Sequence, residues 1–253
     1  MSKTVDLNAD VGESFGAWKM GNDAALMPFL TSANIACGFH AGDPRTIART
    51  VALAVKHGVA IGAHPGLPDL VGFGRRNMAI TEEEAYQLVL YQSGAMRAFA
   101  HAAGSRLHHV KAHGALYNMA ASDPQLSRGI VRAVQALGDQ VAIVVLSGSE
   151  TERVAREAGL TVSCEVFADR RYQDNGLLVP RTDPRALITD EQESIDQVIA
   201  MVTQGSCISV SGRTISVRAD TICLHGDQDG ALVFAQALRA ALARQSIAPR
   251  AFP

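Results

Sequence analysis

Short apolar runs rich in β-branched residues recur along the chain, at 4–7, 32–37, 59–63, 107–112, 141–146, 161–166 and 221–224. Each has the length of a buried strand and is too short for a helix. Between the runs the apolar residues fall at helical spacing instead. Ile47, Val51, Ala54 and Val55 share one helical face, as do Ala85, Leu88, Val89, Met96 and Phe99. Ile195, Val198, Ile199 and Val202 repeat the pattern, and Phe234, Leu238 and Leu242 repeat it again. The chain therefore reads as strand alternating with helix.

The punctuation agrees with the periodicity. Asp43-Pro44 and Asp123-Pro124 each read as an N-cap followed by proline at the first helical position, where its missing N–H costs nothing. Thr81 with Glu84 reads as a capping box. Gly58, Gly104, Gly138 and Gly159 stand between a helical pattern and the next strand, where a left-handed residue closes a helix. Seven strand–helix units predict a parallel sheet. It either stays open or closes, and closure predicts a seven-stranded, TIM-like (βα)-repeat barrel, an α/β fold with its site at the C-terminal strand ends. The stretch 206–217, centred on Ser211-Gly212-Arg213, reads as an extra β-hairpin. No composition break or repeat divides the chain, so residues 1–253 are expected to form a single barrel domain.

Composition narrows the function. With 23 basic and 25 acidic residues, the chain has no strong field for a polyanion, which argues against a nucleic-acid partner. No apolar run approaches the roughly 18 residues that span a bilayer, and residues 1–6 carry no apolar leader core. No membrane association and a cytoplasmic location are expected. Cys37, Cys164, Cys207 and Cys223 form no CxxC pair and read as buried reduced thiols.

Chemistry gathers where strands end. The first strand leads into Asp6, Asn8 and Asp10, which share a face by period two, and then Glu13. The second ends at Gly38-Phe39-His40 and the third at His64-Pro65-Gly66, followed by Gly72-Phe73-Gly74-Arg75-Arg76. Lys111 and His113 close the fourth, Glu165, Asp169 and Arg170 follow the sixth, and His225-Gly226-Asp227 follows the last. Only the fifth, at Ser147-Gly148-Ser149, ends without an ionisable group. Barrel interiors favour branched apolar residues, and burying unpaired polar groups costs several kcal/mol each. Convergence of so many at one end therefore points to an active site. Taken singly, Asp43 reads as a helix cap, Asp6 as an anchor in the barrel floor, 72–76 as a surface loop, and His57, His101 and His108 as structural or surface residues. No GxxxxGK[ST] loop, GxGxxG fingerprint or GxSxG elbow is present.

The same motifs resemble the LamB/YcsF family. They are Asp6-Leu7-Asn8-Ala9-Asp10-Val11-Gly12-Glu13-Ser14-Phe15-Gly16, Ser32-Ala33-Asn34-Ile35-Ala36-Cys37-Gly38-Phe39-His40-Ala41-Gly42-Asp43, Gly62-Ala63-His64-Pro65-Gly66 with the 72–76 loop, Val110-Lys111-Ala112-His113-Gly114-Ala115-Leu116-Tyr117-Asn118, Glu165 through Tyr172 with Leu178-Val179-Pro180-Arg181, and His225-Gly226-Asp227. Six ordered blocks span residue 6 to the last helix. One departure is Asp229-Gly230, where the family often has proline two residues after the aspartate. The resemblance implies a barrel related to polysaccharide deacetylases and glycoside hydrolases. It further implies ATP-dependent hydrolysis of 5-oxo-L-proline to L-glutamate, with this chain as the A component of a 5-oxoprolinase beside partner subunits B and C.

Opening a five-membered lactam takes an activated water, oxyanion stabilisation and a proton for the leaving nitrogen. In that chemistry Asp10 or Glu13 activates water, and His40, His64 and His113 move protons or polarise the carbonyl. Lys111 belongs with them and, like Arg170, would hold a carboxylate or phosphoryl group. Asn8, Arg75, Glu165, Asp169, Arg170, His225 and Asp227 are the expected substrate-binding set. Alanine at Lys111 is expected to abolish activity and leave the fold intact. ATP, lacking a phosphate loop here, is expected to be handled with the partner subunits. Two other readings stand beside this one. A metal-dependent amide or ester hydrolase would use Asp10, His40 and His64, although no tight ligand motif such as HExxH is present, which leaves a divalent metal open. A non-catalytic substrate-binding subunit would use the same residue types. A homo-oligomer is left open as well.

Overall fold

The computed structural model describes residues 3–138, 140–224 and 230–253. Its elements run β1 (Lys3–Val11), α1 (Asp23–Leu26), β2 (Ser32–Ala36), α2 (Pro44–His57), β3 (Ala60–His64), α3 (Glu82–Ala102), β4 (Leu107–Lys111), α4 (Gly114–Ala120), α5 (Pro124–Ala136) and β5 (Ala142–Leu146). They continue with α6 (Glu150–Glu157), β6 (Val162–Phe167), α7 (Glu191–Gln204), β7 (Ser206–Ile208), β8 (Thr214–Ser216), β9 (Thr221–Leu224), α8 (Ala231–Arg244) and β10 (Ile247–Pro249).

All seven apolar runs are strands. β1 to β6 and β9 pair in parallel in that order, and β9 returns to β1 with Asp6 opposite Thr221, which closes the barrel. β10 extends the N-terminal end of β1, pairing Ile247 with Lys3. The 206–217 stretch is the expected hairpin, β7 and β8, a separate antiparallel pair. Among the described residues no helix is long and apolar enough to cross a membrane.

The helices begin and end where the punctuation places them. The Asp43 side chain accepts from the Thr46 N–H, Pro44 starts α2, and left-handed Gly58 ends it. Thr81 and Glu84 form a complete capping box on α3. Asp123 caps α5. Ile47, Val51 and Ala54 are buried as expected, but Val55 is 40% exposed. It lies at the edge of the stripe that the other three define, where the sheet no longer covers it.

Alternation within the strands divides the core in two. Leu7, Ala9, Ile35, Ile61, Val110, Val145, Val166 and Ile222 are buried in the apolar cluster that joins sheet to helices. On β1, β2, β4 and β6 many of the alternate residues are polar and point into the barrel, whereas β5 offers Val144 and Leu146 there. Thr31 (2.5 Å), Ser32 (2.7 Å) and Thr221 donate to the Asp6 carboxylate, so Asp6 does anchor the floor. Above it Asn8 donates to Thr221, and Asn34 donates to Asn8, each at 2.7 Å. His109 sits 2.8 Å from Asn34 Oδ1. These bonds offset desolvation costs that would otherwise reach several kcal/mol per group. Space for the His109 ring comes from β3: a Cβ on Gly62 would lie 2.0 Å from His109 Nε2.

Candidate active site

β1 runs four residues further than its apolar run suggests, which puts Asp10 as well as Asp6 and Asn8 on the inner face. At this level β4 delivers Lys111 and β6 delivers Glu165. Lys111 Nζ lies 2.9 Å from Asp10 Oδ1 and 2.7 Å from Glu165 Oε1, with all but Asp10 fully enclosed. Tyr117, from α4, donates to the other Glu165 oxygen at 2.7 Å. Cys223 Sγ is 3.3 Å from the same ammonium.

Burial by itself would disfavour each charge, but the partners outweigh it. Desolvation would lower the Lys111 pKa, yet Asp10 and Glu165 carry it well above the usual lysine value. Desolvation would raise Asp10, yet His64 and Lys111 hold it well below the usual carboxylate range. The triad is thus one cation between carboxylates, one of which faces out of the barrel. Tyr117 is raised well above the usual phenol value by burial and by Glu165, so it remains a donor.

Beside the triad three imidazoles meet. His64 Nε2 is 3.2 Å from Asp10 Oδ2 and 3.0 Å from His113 Nδ1. The outer nitrogens are held by main-chain carbonyls: His64 Nδ1 lies 2.8 Å from the Lys111 oxygen, and His113 Nε2 lies 2.8 Å from the Phe73 oxygen. His40 stacks on His113 with ring centroids 3.7 Å apart, and among the described residues neither of its ring nitrogens has a hydrogen-bond partner. Burial, followed by neighbouring histidines, pushes His40 well below the usual histidine value and His113 down to about 3.

The 65–81 segment covers this cluster. Asp69 binds Arg76, and its side chain accepts from the Gly72 N–H at 2.9 Å. The Gly74 carbonyl accepts from Ala115 at 2.8 Å. So anchored, 72–76 is part of the site rather than a free surface loop. Phe73 has φ of +55°, a strained conformation for a non-glycine residue that aims its carbonyl at His113.

A cavity of about 1100 Å³ opens over these groups, at the upper end of small-molecule sites. Asp10, His64, Lys111, His113, Arg75 and Arg170 face it, along with Arg181. Arg170 is almost fully buried, and burial followed by Arg181 lowers its pKa to about 10. Its NH2 group donates to the Val179 carbonyl at 2.7 Å, while Nε has no partner among the described residues. Convergent guanidinium groups suit an anionic ligand.

Of the expected residues, Asn8, Glu13, His40, Glu165 and Asp169 do not form the cavity wall. Asn8 and Glu165 sit behind Lys111 as its supports, and His40 is enclosed behind His113. Of the hydrolase set, His40 and His64 lie with Glu13 and His113 in one cluster of possible ligand atoms, and Asp10 Oδ2 is 3.2 Å from His64 Nε2 beside it. His225 and Asp227 lie outside the described residues. His109, Asn34, Tyr117 and Arg181 belong to the site or its supports although none was among the expected site residues. Period two from Lys111 back to His109 carries a signal. Asn34, Tyr117 and Arg181 lie in the family blocks, but their spacing alone gives them no role, and the partner of Tyr117 comes from β6.

A model of the LamB/YcsF family matches residues 5–253. The chain is 56% identical over 251 residues to the 5-oxoprolinase A subunit of Bordetella pertussis, covering 99% of this chain and 100% of that one. It is 55% identical over 245 residues to the 5-oxoprolinase A subunit of Brevibacillus brevis, covering 97% and 96%. Among solved structures it matches a lactam utilization protein from Thermus thermophilus, with TM-score 0.92 and 49% identity over 98% of this chain and 100% of that one.

Proposed function

The chain belongs to the LamB/YcsF family, and from that premise we propose that it is the A subunit of an ATP-dependent 5-oxoprolinase, which opens 5-oxo-L-proline to L-glutamate together with subunits B and C. Relatives above half identity that carry the A-subunit name support the assignment. The observation that carries it is the Lys111 ion triad facing a cavity walled by guanidinium groups.

A lactam is a stabilised amide, so water attacks it slowly unless the water is activated and the developing oxyanion is held. Asp10 is ionised, reaches the cavity and accepts hydrogen bonds, which suits it to hold and orient a water, while its lowered pKa makes it a weak base on its own. Lys111 is cationic beside it and suits the oxyanion, or a phosphoryl group placed on the lactam oxygen. Arg170, whose Nε has no partner among the described residues, suits the substrate carboxylate. The cavity exceeds a single five-membered ring, leaving room for a phosphorylated intermediate or for an inserted segment of a partner. ATP would be bound mainly by the partners, since this chain has no phosphate loop.

Glutamate formation from 5-oxoproline and ATP, measured with this chain alone and with subunits B and C, tests the proposal. Turnover is expected only in the full mixture. No glutamate from the mixture of well-folded subunits would overturn it.

A further inference from the structure

We infer that Glu13, His40, His64 and His113 form a binding site for one divalent transition-metal ion of the zinc class. Each offers one ligand atom, and these atoms lie within 4.8 Å of one another, all from buried residues. They come from four places in the chain, after β1, after β2, at the end of β3 and after β4, so no local motif announces them.

The proton positions make the argument. Main-chain carbonyls only accept, so the nitrogen facing each one carries the hydrogen. The Lys111 carbonyl therefore fixes the proton of His64 on Nδ1, and the Phe73 carbonyl fixes that of His113 on Nε2. In neutral rings this leaves His64 Nε2 and His113 Nδ1 bare, and they face each other at 3.0 Å. Two lone pairs at that distance repel, and an Asp10 oxygen stands 3.2 Å from the first. A cation among them turns the repulsion into coordination. Carbonyls that hold the outer nitrogens are the usual support of metal-bound histidines. The strained Phe73 backbone is then explained by the carbonyl it presents.

His40 supplies the independent observation. It is 0% exposed, and among the described residues neither ring nitrogen has a hydrogen-bond partner. Buried polar atoms are almost always satisfied, and an unmet one calls for a ligand. Close glycine packing holds the ring there: a Cβ on Gly66 would lie 2.5 Å from His40 Nδ1, and one on Gly74 would lie 2.7 Å from His40 Cβ. Three imidazoles and a carboxylate match a borderline ion and tetrahedral geometry. Bonds of about 2.1 Å imply ligand separations of about 3.4 Å. The site therefore contracts on binding, and His40 tilts off its stack with His113. Such an ion, when bound, would supply Lewis acidity at the cavity wall, where His64 and His113 are exposed to ligand.

The inference stands apart from the 5-oxoproline reading, because it is tested without substrate, ATP or partner subunits. The full chain is stripped with a chelator, loaded with Zn²⁺, dialysed and analysed for retained metal, and Co²⁺ is added in parallel for its visible spectrum. One zinc per chain and tetrahedral ligand-field bands of Co²⁺ are expected. His40→Ala should weaken Zn²⁺ binding roughly a hundredfold or more. Glu13→Gln, which keeps its volume near the edge of the cluster, should also weaken it and shift the Co²⁺ bands. A stripped wild-type chain that retains no zinc overturns the inference, and a proton shared between His64 and His113 then relieves the repulsion. Equal retention by wild type and both variants also overturns it, since the ion would then lie elsewhere.

Discussion

Lys111 shows how far one residue's role depends on groups that its neighbours in sequence do not reveal. Read along β4, it is a lysine at a strand end. In the barrel it neutralises Asp10 and Glu165 together. Removing one member of a buried ion cluster leaves the others uncompensated, at a cost of about 3–5 kcal/mol. Alanine at Lys111 therefore should cost stability even where the fold stays intact. Lys111→Met should lower urea-unfolding stability by that amount, and adding Glu165→Gln should restore about half of the loss. A loss below about 1 kcal/mol would show that water reaches the triad and that the pair is of the surface kind. Arg170 is its counterpart at the wall. Arg170→Lys keeps the charge but loses the fork that binds a carboxylate with two bonds, so KM for 5-oxoproline should rise about tenfold or more with kcat less affected. The reverse pattern would remove Arg170 from ground-state binding.

At the level of elements, the strands were legible because each is a short buried run, and the long helices because their stripes and caps repeat. The short α4 and α6 were not, since seven- and eight-residue helices carry too few turns for a period to stand out. The covering segment 65–81 was not legible for a different reason. Its shape depends on Asp69 reaching Arg76, and on carbonyls of Phe73 and Gly74 meeting α4 and the residue before it. The candidate site was legible in its residue types but not in its partnerships. Spacing placed Asp10 with Asn8 and Lys111 with His113, whereas the pairing of Lys111 with Glu165 and of His113 with Phe73 needs the closed barrel. Gly62 is an instance of such hidden dependence. Its Cβ would collide with the His109 ring, so Gly62→Ala should cost about 1–3 kcal/mol as overpacking. In a His109→Ala background the same change should cost much less, with a coupling above about 1 kcal/mol in the double-mutant cycle. Additive losses would mean that the glycine serves the strand backbone and not the ring above it.

For the whole molecule, a polar barrel interior ties stability to pH. His40 and His109 are held well below the usual histidine value and His113 down to about 3, in each case first by burial. In the unfolded chain these rings take up protons below about pH 6.5. Between that value and the folded pKa the unfolded state binds more protons, so stability falls as pH falls and is unaffected above neutrality. The limiting slope is about 1.4 kcal/mol per pH unit for each ring. Going from about pH 7.5 to about pH 5.5, these three rings contribute up to about 4 kcal/mol of lost stability, and His108, also lowered first by burial, adds to it. Asp10, lowered in the fold, and Lys111, raised, keep their charge in both states over this window. Asp6 acts in the opposite sense, because burial raises its pKa and the folded state gains its proton first. The measured loss should keep the sign that the histidines give it. Urea unfolding of the metal-stripped chain at half-unit pH steps reads it directly. A flat profile would mean that the folded barrel accepts these protons, and the neutral, buried histidines would then have to be replaced by charged ones with partners for each.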